Sequence, residues 1–219
     1  MMTHLTTLGP EQADQFASAK PFPHLVVDGM WPEALLASID AEFPAAGDPR
    51  WITYPDEKER GKKAGDSRMW GPATRGFFDA ARGPEACRML ELLTGISPLT
   101  ADDIGGGMHE TGEGGRLEMH RDFNVHPTLP LERRLNMLVF LNKDWDPAWG
   151  GTLYLGKNQE VSVVPAWNRT VVFACGPDSW HGHPEPIVGN HLRRSLAIYQ
   201  YAPLRAETAD AHTTVWRTP

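Results

Sequence analysis

Two side chains set the chemical question. His120 and Asp122 stand one residue apart in Met119-His120-Arg121-Asp122-Phe123-Asn124, and a further histidine pair, His181 and His183, follows about sixty residues later in Ser179-Trp180-His181-Gly182-His183. On a β-strand, residues i and i+2 point to the same face, so His120 and Asp122 converge without bending the chain. With a third imidazole from elsewhere they can hold one face of a metal ion and leave the opposite face open. Two histidines and one carboxylate with open positions suit a ferrous ion outside a haem. Taken alone, His-x-Asp occurs often as an exposed pair, and the residues around it decide its weight.

Those residues belong to elements that must bring the donors together. From about residue 100 onward short apolar runs alternate with Gly, Pro, Asn and Asp: Leu135–Leu141, Leu153–Leu155, Val161–Val164, Thr170–Ala174 and Leu196–Tyr201. Strands of four to eight residues bounded by turn residues predict a β-sandwich or barrel. The first hundred residues read differently. Leu25–Val27 predicts a short strand. Leu35, Leu36, Ile39 and Phe43 recur at helical spacing, so the sequence predicts a helix over 32–43. Phe77, Phe78, Ala81, Met89, Leu90 and Leu93 predict two helices split at Gly83-Pro84, with Gly95 as the stop. Between them, 44–75 is rich in Gly, Pro and charge and reads as a solvated loop or a lid over the site. The chain is expected to form a single domain over 1–219: helical support in 1–99, catalytic core in 100–203 and a tail in 204–219.

Composition bounds the rest. The 219 residues are 41% hydrophobic and 22% charged, as in a globular domain, and no apolar run approaches the length of a membrane span. Met1–Pro10 has neither the basic start nor the apolar core of a signal peptide. The two cysteines, Cys87 and Cys175, read as free thiols, so a cytoplasmic setting is expected. Neither has a Cys-x-x-Cys partner for structural zinc. A net charge of −7 without a basic tract argues against a nucleic-acid partner. Gly105-Gly106-Gly107 is not a phosphate loop, because no Gly-Lys-Ser/Thr follows it.

Several motifs occur together, in order, over residues 100–203. They are His120-Arg121-Asp122, Arg133-Arg134-Leu135-Asn136, Phe140-Leu141-Asn142-Lys143-Asp144-Trp145, Gly150-Gly151-Thr152-Leu153, Ser179-Trp180-His181-Gly182 and Arg193-Arg194-Ser195-Leu196. In this the chain resembles the 2-oxoglutarate/Fe(II)-dependent dioxygenases, and most of all their prolyl-hydroxylase-like subgroup. The resemblance implies a mainly β fold with N-terminal helices, the double-stranded β-helix (a cupin-like jelly-roll), with the metal at its open end. It implies His120, Asp122 and His181 as iron ligands, with His183 the competitor for the third place. It implies Fe(II), 2-oxoglutarate as cosubstrate and O2. The closing arginine, which pairs with the distal carboxylate of 2-oxoglutarate, falls on Arg194, with Arg193 as its rival, since adjacent strand residues face opposite ways. A buried dicarboxylate needs a paired cation, and arginine offers a two-pronged fork.

Phe140 takes a position where the family often has a tyrosine that touches the cosubstrate, and Asn136, on the same strand face, is a substitute donor. Asn124, His126, Arg133 and Glu110 are expected around the substrate, and His109 lies on the strand with Glu110. The implied reaction is hydroxylation of an unactivated C–H in a small-molecule, amino-acyl or peptidyl substrate, with release of succinate and carbon dioxide. A carboxylate at Asp122, where related halogenases have a small residue, argues for hydroxylation. Desaturation or ring formation is the alternative within this chemistry. A ligand-binding jelly-roll and a cupin-type metal hydrolase or isomerase are the alternatives outside it.

Overall fold

The computed structural model describes residues 8–206, 208 and 211–217. Two antiparallel sheets face each other. The larger runs in the order β1 (His24–Asp28), β10 (Arg169–Ala174), β7 (Leu131–Phe140), β12 (Arg193–Pro203), β5 (Gly107–Thr111), β3 (Lys62–Gly65), β2 (Ile52–Thr53), with β4 (Thr100–Ala101) also on β12. The smaller runs β13 (Val215–Trp216), β6 (Leu117–Arg121), β11 (His181–His183), β8 (Leu153–Leu155), β9 (Val161–Val163). Strands distant in sequence alternate between the two sheets, which is the double-stranded β-helix.

Four helices cover the outer face of the larger sheet: α1 (Pro10–Ser18), α2 (Glu33–Ala41), α3 (Pro72–Ala81) and α4 (Pro84–Thr94). Leu36, Ile39, Phe77, Phe78 and Leu90 pack there with Leu135, Met137, Val139, Leu196 and Ile198 of the sheet. Proline opens both α3 and α4, where its missing N–H costs nothing, and Gly95 ends α4 at φ +70°. The Glu42 carboxylate accepts from the Ala73 and Thr74 amides and the Thr74 hydroxyl, capping α3. Between the sheets lies a smaller apolar cluster of Phe22, Phe140, Leu153, Leu155, Val163, Val171 and Phe173. The space between the sheets is thus apolar at one end and polar at the other, where the metal motif lies.

The structure corrects the expected division of the chain. The first hundred residues supply three strands of the larger sheet as well as helices, because β1, β2 and β3 pair at its edges. The segment 44–75 is not simply a solvated loop: it folds back as the β2–β3 hairpin, with Lys62 opposite Thr111 and Ala64 opposite His109. The tail contributes β13, which pairs Trp216 with His120. The polar start of the chain carries α1, which the apolar spacing did not reveal. Among the described residues, no helix is long and apolar enough to cross a membrane.

Candidate metal and cosubstrate site

Strand register brings the donors together. His120 on β6 and His181 on β11 are direct cross-strand partners, and their ring centroids lie 4.3 Å apart. Asp122, just past the end of β6, reaches both: its carboxylate oxygens lie 3.5 Å from His120 Nε2 and 3.2 Å from His181 Nε2. One ligand atom from each of these three residues falls within 4.8 Å of the others, and among the described residues this is the group that could hold an ion. His183 is not part of it.

Each imidazole is aimed in the same way. His120 Nδ1 lies 2.9 Å from the Glu118 carbonyl and His181 Nδ1 2.9 Å from the Ser179 carbonyl. A carbonyl can only accept, so Nδ1 carries the proton and Nε2 keeps its lone pair for a metal. Burial, then the neighbouring His181, pushes the His120 pKa down against the pull of Asp122, which keeps the His120 ring neutral. Burial alone would raise the Asp122 carboxyl. The Arg133 guanidinium, with His181 and His120 beside the carboxylate, outweighs it and holds the carboxyl well below the usual range. Asp122 Oδ2 accepts from Asn136 Nδ2 at 2.8 Å and pairs with Arg133 Nη2 at 2.9 Å. Two imidazole nitrogens and one ionised carboxylate are donors that suit a divalent cation.

Behind this triad a cavity runs between the sheets, lined by Arg193, His183, Thr111, His109 and Lys62 among others. Its far wall is one cross-strand row, Lys62–Thr111–Arg193, so these three side chains share a face. Arg193 is buried. Its Nε donates to the Gly151 carbonyl at 2.7 Å and its guanidinium lies over the Phe140 ring, 4.9 Å from the centroid. No carboxylate pairs with it among the described residues, and burial pulls its pKa down to about 9. A buried guanidinium with no anion is costly and fits a site that receives one.

Arg194 is the largest correction. It is the register partner of Glu110, which is in turn that of Lys63, and this row faces the helices. Arg194 donates to Glu110 at 3.1 Å and to Asp40 on α2 at 2.9 Å, with its guanidinium over Phe43. It does not line the cavity; its neighbour does. The alternation rule was sound, and the pleat of β12 selects 193 and 195 for the interior. Glu110 is displaced from the site for the same reason, held in the outer row by Arg194 and Lys63.

The remaining candidates sort as follows. Asn136 reaches the site as an orienting donor to Asp122, and Arg133 is engaged by Asp122 and stacks on Tyr199 at 3.3 Å. Neither takes its expected part as a cosubstrate donor or a free anchor for an acidic substrate. Phe140 is fully buried beneath Arg193. His126 turns away, with Nε2 2.7 Å from Asp102, and lines a separate groove with Phe123. Asn124 lies in a neighbouring cavity of about 300 Å³ that also touches Asp122, Arg133 and Cys175. Sequence reasoning missed Lys62, Thr111 and Trp216, whose ring lies 5.3 Å from that of His120. Thr111 was within reach, because it stands two residues from His109 on one strand.

Residues 106–201 match the model of the 2OG-Fe(II) oxygenase superfamily. In this stretch the chain is similar to the 2OG-Fe(II) oxygenases, and among its relatives are prolyl hydroxylases. Over 79 residues the chain is 32% identical to mouse prolyl 3-hydroxylase; the match covers 32% of this chain and 14% of that relative's length. A prolyl-4-hydroxylase of Pseudomonas putida superposes with a TM-score of 0.62 at 18% identity, covering 90% of this chain and 100% of that one. HygX of Streptomyces hygroscopicus, solved with nickel and 2-oxoglutarate bound, gives 0.61 at 15% identity, covering 96% of each chain. These structural likenesses establish the fold. The triad and the unpaired Arg193 fit the iron and 2-oxoglutarate by which the oxygenase family is named.

The cavity wall carries an acid-stability signature. Burial, then the charges of Lys62 and Arg193, push His109 down to about 3. The unfolded chain takes up this proton near pH 6.5 while the folded one does not. Its contribution is therefore complete above pH 6.5 and is lost as pH falls toward 3, at up to about 1.4 kcal/mol per pH unit. Melting of the metal-free protein should fall between pH 7 and 5, and His109→Gln should flatten that fall. An unchanged slope in the variant contradicts the assignment.

Proposed function

We propose that this chain is an Fe(II)- and 2-oxoglutarate-dependent dioxygenase. It hydroxylates an unactivated C–H of a small-molecule, amino-acyl or peptidyl substrate, with release of succinate and carbon dioxide. The observation that carries the reading is the buried, anion-free Arg193 in the same cavity as the His120–Asp122–His181 triad.

Ferrous iron with 2-oxoglutarate and dioxygen supplies the oxidising power, which no side chain can supply. The chain supplies position and charge. His120 and His181 would present Nε2, and Asp122 a carboxylate oxygen, to the iron. Asn136 and Arg133 hold the other side of that carboxylate, so the metal meets one fixed geometry. Arg193 Nε is taken by Gly151, which leaves the two Nη groups to fork onto a distal carboxylate. The Phe140 ring and the apolar cluster beyond it keep water from that ion pair, which strengthens it. The cavity of about 300 Å³ beside Asp122 is the nearest space for a substrate.

The test is turnover. Protein supplied with Fe(II), 2-oxoglutarate and air should form succinate at a rate that rises with the correct substrate and stops with a chelator. Iron-loaded, folded protein that forms no succinate above the protein-free level, with free amino acids, peptides and small metabolites tried in turn, contradicts the proposal.

A further inference from the structure

His183 has no role in the account so far. It stands two residues beyond His181 on β11, is 3% exposed, and lines the same cavity as Arg193, Lys62 and Thr111. Its Nδ1 is buried and has no hydrogen-bond partner among the described residues. His120 and His181 each have Nδ1 tied to a carbonyl two residues earlier; His183 breaks that pattern. A bulge between His181 and His183 shifts the register. Gly182 permits the close approach there, since a Cβ at that position would lie 2.8 Å from the carbonyl oxygens of both Leu117 and Glu118. The backbone is thus built so that an imidazole enters the polar end of the cavity with a ring nitrogen unspent.

A buried polar nitrogen without a partner is costly, so native proteins seldom leave one unused. The groups around this one specify the partner's charge. Arg193 and Lys62 both face the cavity, and only Lys62 has an acid of its own, Glu59 at 3.0 Å. An acceptor that satisfies an imidazole N–H beside an unpaired guanidinium is an anion.

We infer that His183 donates through Nδ1 to the distal carboxylate of the 2-oxo acid, beside Arg193, and so sets which 2-oxo acids the cavity accepts. The inference rests on the reading of this cavity as the cosubstrate site. It makes His183 a cosubstrate-binding residue in addition to the metal triad.

Calorimetric titration of the zinc-loaded protein reads it without turnover. His183→Leu should weaken 2-oxoglutarate by about tenfold or more, the worth of one hydrogen bond to a charged group. It should leave 2-oxobutyrate, which lacks the distal carboxylate, bound as in the wild type. His183→Asn, which keeps an N–H near the same place, should stay close to wild type for both acids. Equal weakening of both acids, or undiminished 2-oxoglutarate binding by His183→Leu, overturns the inference. If Arg193→Met weakens 2-oxoglutarate and His183→Leu does not, the cavity reading stands and the His183 role falls. Absence of 2-oxoglutarate binding to the zinc-loaded wild type removes both. The wild type gives an independent readout: the His183 imidazole N–H resonance should move downfield with 2-oxoglutarate and not with 2-oxobutyrate. No differential movement counts against the inference even if the leucine variant folds poorly.

Discussion

Arg193→Met should weaken 2-oxoglutarate by about a hundredfold to a thousandfold, with metal affinity little changed, as expected for loss of one partner of a buried charge pair. Arg193 is buried at the cavity wall, so a bound carboxylate has little water to replace the lost fork. Arg194→Met should behave in the opposite way. It leaves Glu110 buried with Lys63 as its remaining cation and Asp40 without its partner, so stability should drop by about 1–3 kcal/mol while 2-oxoglutarate affinity holds. Ligand titration and thermal melting on the two variants separate the roles. If Arg194→Met instead shows the loss of cosubstrate, the register of β12 against β5 is wrong.

Asp122→Ala should abolish tight metal binding. The loss removes the anionic donor of the triad, and it also leaves Arg133 buried without its carboxylate. Breaking such a pair from one side costs about 3–5 kcal/mol. Asp122→Asn keeps the shape and separates the two effects: metal affinity should still collapse, while the apoprotein should melt nearer to wild type than Asp122→Ala does. Metal titration followed by mass analysis or by calorimetry decides it. Retention of one tightly bound divalent ion by Asp122→Ala would remove Asp122 from the ligand set.

The contrast between Arg193 and Arg194 shows where sequence reading stops. Period-two alternation states that one of the pair enters the barrel, but the face is fixed by register: Arg193 lies opposite Thr111 and Arg194 opposite Glu110. Two charged residues ahead of the same apolar strand give no local signal that tells them apart. His-x-Asp was legible because its two donors lie on one strand, and its partner His181 followed from the ordered motifs around it. Helices α2, α3 and α4 were legible from apolar spacing, with the Gly83-Pro84 break and the Gly95 stop marking their ends.

The segment 44–75 reads as a loop because β2 and β3 are short, and β3 is made of charged or small residues, Lys62, Lys63, Ala64 and Gly65. The strand that β3 pairs with, β5, lies more than forty residues away. Asn136 lines the cavity, but its partner, Asp122, is fixed by how far the chain beyond β6 folds back. Trp216 belongs to a two-residue strand, which is too short to carry a period.

The account is tested most directly by adding Fe(II) and 2-oxoglutarate to the apoprotein without oxygen and looking for the weak visible charge-transfer band of the chelate. The band should form in the wild type and in Arg194→Met and be lost in Arg193→Met at the same cosubstrate concentration. A folded, iron-loaded wild type that shows no band, or a band that survives Arg193→Met and disappears in Arg194→Met, would contradict it.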